Sequence, residues 1–139
     1  MAANIQPIYT RLADVQWATE IVQSANTTTD LTSGTIYPVF TADTTNGGYV
    51  QRIRFRPLGS NAATVARVWI NNGGDTTVAS NNSLWDEIAI ALTTVSQTAA
   101  QATYELPLNF PLPASYRLYV TLGTVVLAGF DVTVIGGKY

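Results

Sequence analysis

Over residues 49–57 polar and apolar positions alternate: Arg52, Arg54 and Arg56 are separated by Ile53 and Phe55. Successive strand side chains point to opposite faces, so this spacing predicts a strand with three arginines on one face and an apolar pair on the other. A second alternating run, residues 63–71, predicts another strand, reached through a Pro-Leu-Gly-Ser-Asn loop and closed by an Asn-Gly turn. Residues 116–122 and 130–135 carry the same period, with Tyr116, Leu118, Val120 and Leu122 on one face and Phe130, Val132 and Val134 on another. The glycine-bounded stretch 123–129 is expected to join them as a hairpin. Residues 102–110 place Tyr104, Leu106, Leu108 and Phe110 inward, while Pro107, Pro111 and Pro113 restrict that strand to a sheet edge or an early end.

The remaining segments are less regular. In residues 84–92, Leu84, Ile88, Ile90 and Leu92 alternate with Trp85, Glu87, Ala89 and Ala91, and Asp86 interrupts the apolar face. A helix capped by Asn82 or Ser83 competes there, but the β-branched pair and the period of two favour a strand. Residues 36–41 predict a short strand held to an edge or strand end by Pro38. Residues 15–23 predict one more, with Trp17, Thr19 and Ile21 sharing a face. Stretches 24–33, 43–48, 71–83 and 93–101 are rich in Thr, Asn, Asp and Ser and read as loops or turns. Residues 1–14 contain Pro7 and no strong period, which suggests an arm ahead of a single domain spanning 15–139. About eight short strands separated by turn signals predict an all-β, antiparallel β-sandwich, a jelly roll being one topology the pattern allows.

Composition narrows the function classes. A chain of 139 residues can bury a sizeable core as one domain. It has neither cysteine nor histidine, so disulfides, thiolate metal sites and histidine-based catalytic triads are excluded. Charged residues make up 12%, against about 25% in an ordinary soluble domain. Threonine is the commonest residue, which suits either a plain threonine-faced sandwich or a surface largely covered by neighbours in an assembly. A net charge of -2 argues against a general nucleic-acid binder. No apolar run approaches the roughly 20 residues of a membrane helix, and the N-terminus lacks the pattern of a signal peptide. No nucleic-acid or membrane partner is expected, and synthesis without secretion is.

The sharpest candidate for chemistry is the arginine ridge. The chain has 7 basic residues and sets Arg52, Arg54 and Arg56 side by side. Pairing with cross-strand carboxylates would make it an ordinary solvated face. Recognition is the alternative, since guanidinium forks suit carboxylate and phosphate and are enriched at interfaces. Arg67 and Trp69 share a face of the following strand and would extend the ridge if the two strands paired. In the arm, Ile5, Ile8 and Tyr9 are apolar groups suited to docking on an adjacent subunit or partner. The nine acidic residues are scattered, with only Asp86 and Glu87 adjacent, so nothing indicates a catalytic carboxylate pair. The loop Asn71-Asn72-Gly73-Gly74-Asp75 is oxygen-rich but lacks the carboxylate spacing of a calcium loop. No cofactor is expected.

Three strings, RFRPLGSNAATVARVWINNGG, ELPLNFPLPASYRLYVTLGT and AGFDVTVIGGKY, carry a further signal. Within a region running from about Gly48 to Tyr139, they resemble small tailed-bacteriophage virion proteins of the capsid decoration or cement (head auxiliary) type. The strings encode strands and turns, so the resemblance brings no site residues with it. It implies a structural protein of the virion, bound to the major capsid protein on the outer capsid surface and stabilising it. A homotrimer and the absence of catalysis are expected alongside. A glycan- or receptor-binding module of a head or tail fibre, using Trp69, Trp85 or Tyr119, is the alternative; a polysaccharide-cleaving enzyme is the weaker one.

Overall fold

The structure, a computed structural model, describes residues 10–139. Eight strands follow one another as β1 (Leu12–Trp17), β2 (Tyr37–Thr41), β3 (Gly48–Pro57), β4 (Thr64–Asn71), β5 (Asn82–Ile90), β6 (Tyr104–Leu112), β7 (Arg117–Leu122) and β8 (Phe130–Lys138). A single 3-10 turn, Ala79–Asn81, precedes β5. Two four-stranded antiparallel sheets form, in the orders β1-β8-β3-β6 and β2-β7-β4-β5.

The pairing has a simple logic. The first strand pairs with the last, the second with the seventh, the third with the sixth and the fourth with the fifth. The chain thus behaves as one long hairpin rolled over itself, and β3·β8 and β4·β7 contacts complete the two sheets. That is the pairing of a jelly roll, so the all-β antiparallel sandwich expected from the alternation is what the chain forms. Every connection changes sheet except β4 to β5.

Two expectations about neighbours fail for that reason. β3 and β4 lie in different sheets, so the arginine ridge does not continue onto Arg67 and Trp69. Likewise β7 and β8 are not a hairpin; residues 123–129 cross from one sheet to the other. The first strand starts earlier than expected and stops at Trp17, so Leu12, Ala13 and Asp14 belong to β1 and not to an arm. Ile5, Ile8 and Tyr9 lie outside the described residues.

The core fills the space between the sheets. Val50, Ile53 and Phe55 of β3, Phe130, Val132 and Val134 of β8, Ala66 and Val68 of β4, and Leu118, Val120 and Leu122 of β7 are fully buried there. Prolines fall where a missing N–H costs least: Pro38 is in edge strand β2, Pro107 and Pro111 are in edge strand β6, and Pro57 is the last residue of central strand β3. On β5 the interruption at Asp86 is a bulge. Val68 pairs with Asp86 and Trp69 with Leu84, leaving Trp85 as the extra residue. Its ring lies 4.5 Å, centroid to centroid, from Phe110 of the other sheet.

Turns at one end close through side-chain acceptors. Asp43 Oδ1 accepts from the Asn46 and Thr45 amides, both at 2.9 Å, ahead of Gly47, which takes φ +76° where a Cβ would be strained. Asp75 accepts from the amide and hydroxyl of Thr77, and Asp30 from those of Thr32. These hydrogen bonds favour the ionised carboxyl and hold all three below the ordinary value of 3.8. The unfolded chain therefore takes up these protons first as pH falls. The stabilisation is fully present above the unfolded value and is lost as pH drops through the folded ones. Denaturation midpoints measured across the acid range should fall accordingly, and Asp43→Asn, which cannot titrate, should flatten part of that slope.

Candidate interaction surface

The two outer faces of the sandwich are treated differently. Over the β2-β7-β4-β5 sheet, residues 24–36 fold down as a cover. Asn26 organises this cover: its amide donates to the Leu122 carbonyl, its Nδ2 donates to the Ser33 and Thr35 carbonyls, and its Oδ1 accepts from Thr28. Leu31, at φ +65°, and Ile36 then seat against Trp69 and Tyr119. A positive φ is strained for leucine, so packing against the indole must offset that strain. Trp69 is 1% exposed, and its Nε1 donates to Thr121 Oγ1 at 2.9 Å. Arg67 does share the outer face of β4 with Trp69, but it ends on Glu87 at 3.3 Å and on the Asn26 carbonyl at 3.5 Å. Arg67, Trp69 and Tyr119 therefore belong to packing under and beside the cover; Trp69 and Tyr119 are not available as an exposed aromatic platform.

Among the described residues no loop folds over the outer face of the β1-β8-β3-β6 sheet, and the arginine ridge stands in its middle. Strand register sets rows across it. One row runs Trp17, Thr133, Arg54, Glu105; the next runs Val15, Ile135, Arg52, Pro107. Arg56 stands opposite Asp131. A shift in register between Val50 and Arg52 leaves Gln51 as an extra residue against β8, while on the other side Leu108 and Asn109 of β6 together oppose it. There, Gln51, Arg52, Glu105, Pro107 and Asn109 line a shallow depression.

The electrostatics of the ridge are only partly settled within the chain. Glu105 lies 3.6 Å from Arg54 and 3.9 Å from Arg52, a single carboxylate shared by two guanidinium groups at the long end of ion-pair distance. Arg56 donates to the Gln101 carbonyl at 2.7 Å and to Thr103 Oγ1 at 3.0 Å. Ion pairs this exposed are worth only about 0–1 kcal/mol, and the Arg54 and Glu105 side chains keep 50% and 40% of their surface in water. Arg54→Ala should accordingly change the thermal midpoint by no more than a few degrees, as read by calorimetry.

Beside the ridge lies a feature that the alternation in residues 15–23 assigns to neither core nor solvent. In β1 the polar residues turn inward and the apolar ones outward. Gln16 exchanges two hydrogen bonds with the backbone of Thr41 in β2, both at 2.9 Å, while Trp17 is 62% exposed and Val15 is exposed beside it. A half-buried edge strand ordinarily does the reverse. The signal was available in Asp14-Val15-Gln16-Trp17, but the hydrophobic pattern alone sends Val15 and Trp17 to the core. Ile135 of β8 joins them in register. The face is thus an indole and two aliphatic side chains flanked by three arginines, a composition typical of contact surfaces.

The oxygen-rich 71–75 loop is committed to its own turn: Asn71 and Asn72 side chains accept from the Gly73 and Gly74 amides. Among the described residues no group of three or more Asp and Glu side chains is placed to hold a metal ion. No helix among them is long and apolar enough to cross a membrane. Comparison with protein-family models and with curated proteins finds no match.

Proposed function

We propose that this chain is a structural virion protein that binds the outer capsid surface of a tailed bacteriophage and stabilises it, with the outer face of the β1-β8-β3-β6 sheet as its contact. One observation carries the choice of surface. A sandwich that covers one outer face with its own loop leaves Trp17, Val15 and Ile135 beside Arg52, Arg54 and Arg56 on the other. An indole and aliphatic groups supply apolar burial, and arginine forks supply carboxylate recognition, so the fitting partner is an acidic, partly apolar protein lattice. The capsid itself enters through the resemblance of residues 48–139 to decoration proteins. In this reading the chain performs no catalytic step and its place is the virion.

The glycan-binding alternative keeps a narrower footing. Of its three aromatics, only Trp85 is exposed, and its ring packs at a tilt of 54° against Phe110. Co-sedimentation tests the two readings together: purified protein is mixed with capsids lacking it, and separately with host cell-wall polysaccharide. Saturable binding to capsids at a fixed ratio to capsid subunits is expected. Binding to polysaccharide and none to capsids would overturn the proposal.

A further inference from the structure

Four connections meet at one end of the sandwich: the start of residues 18–36, and residues 58–63, 91–103 and 123–129. Hydrogen bonds show them in contact, from Val126 to the Gln23 carbonyl, between Asn61 and Thr93, and from Asn61 to Gly129. Large apolar side chains stand out into water there: Ile21, Leu58, Leu92, Val95, Val125 and Leu127, the last 89% exposed. Residues 57–64, 91–103 and 123–129 contain no Asp, Glu, Lys or Arg. Arg56 and Asp131 flank these stretches in sequence, and Glu20 lies within the fourth connection, next to Ile21. The connections at the other end are polar and include one exposed large apolar side chain, Val78.

We propose that this loop end is where copies of the chain pack against one another, the occupant of the apolar patch being a second copy. The proposal deepens the expected self-association by naming its surface, and it uses a different part of the molecule from the capsid-binding face. Three physical points favour a copy over other occupants. The six side chains carry no charge, and with Glu20 and Arg56 at the margin the patch meets itself with little like-charge repulsion, whereas a patch without a cluster of cations is poorly suited to an anionic lipid surface. Six side chains, each exposed by roughly half or more, present several hundred Å² of apolar surface. That approaches the roughly 800 Å² per partner of a stable interface, with charged residues left for a polar rim. The loops are also held in place before any contact forms. Asn61 ties 58–63 to 123–129, and Thr93 ties 91–103 to both Asn61 and the Gly59 carbonyl. Such preorganisation lowers the entropy lost on association.

Sedimentation velocity over a micromolar concentration series tests this on the full chain and on Leu127→Asp, with Arg54→Ala as a control for the sheet face. Because Leu127 is almost fully exposed, the substitution removes little packing, and far-UV circular dichroism checks that the fold is kept. A discrete dimer or trimer is expected for the parent chain and for Arg54→Ala, with association at least about tenfold weaker in Leu127→Asp. A monomeric parent chain throughout the series, or an equally tight oligomer in Leu127→Asp, would overturn the proposal. So would a monomer that binds neutral phosphatidylcholine vesicles and loses that binding on Leu127→Asp, since the patch would then meet lipid. Loss of self-association with capsid binding intact would leave the sheet-face reading standing.

Discussion

Asn61→Ala is expected to lower the unfolding free energy by about 3 kcal/mol, a large fraction of the stability of a domain this size. Asn61 is buried and bonds in three directions. Its Nδ2 donates to the Gly129 carbonyl at 2.9 Å, and its Oδ1 accepts from the Ala128 and Gly129 amides, each at 2.9 Å. Its backbone pairs with Thr93. Alanine keeps the backbone contacts but leaves one carbonyl and two amides without their partner, and each buried unsatisfied group costs on the order of 1–3 kcal/mol. Water reaching the opened site would recover part of this, which brings the expected loss to the low end of the sum. Denaturant unfolding should show a lower midpoint at unchanged slope, because the compactness of the folded state is retained. An unchanged midpoint would mean that the loop end is held by its other contacts alone.

Trp17→Ala and Arg54→Ala are each expected to weaken partner binding by about 2 kcal/mol, roughly 30-fold, by different physics. Trp17 contributes apolar area and should leave the salt dependence of binding as it was. Arg54 contributes charge, so its removal should also reduce the loss of affinity as salt rises, exposed charge pairs being screened within about 10 Å at 0.1 M salt. Neither residue lies in the core, so melting should barely change. Titration of each variant against capsids at two salt concentrations separates the two effects. Earlier melting with normal binding would make the ridge internal scaffolding.

The strands were legible where alternation and proline agreed. In residues 104–112, Tyr104, Leu106 and Leu108 mark the inner face, and Pro107 and Pro111 mark the edge; both hold in β6. The ridge on β3 was legible for the same reason, since Ile53 and Phe55 are fully buried between exposed arginines. Which strands become neighbours was not legible. A period of two states which face a residue takes, while jelly-roll pairing depends on closing connections across two sheets, and residues 58–63 resemble a hairpin loop locally. The burial of Trp69 was hidden because most of its cover, residues 24–33, is rich in threonine and reads as loop; only Leu31, and Ile36 just beyond it, hint otherwise. The apolar half of the candidate surface was missed because β1 inverts the usual polarity, and hydrophobicity alone places Val15 and Trp17 inside.

The proposed seat of this protein on a capsid is the Trp17–arginine face of the β1-β8-β3-β6 sheet. Electron cryomicroscopy of capsids decorated with the purified chain tests it most directly. Density for the sandwich is expected on the outer capsid surface, with Trp17, Arg52 and Arg54 turned toward the lattice and the 24–36 cover turned away. Density seated by the cover, or decorated capsids indistinguishable from bare ones, would contradict it.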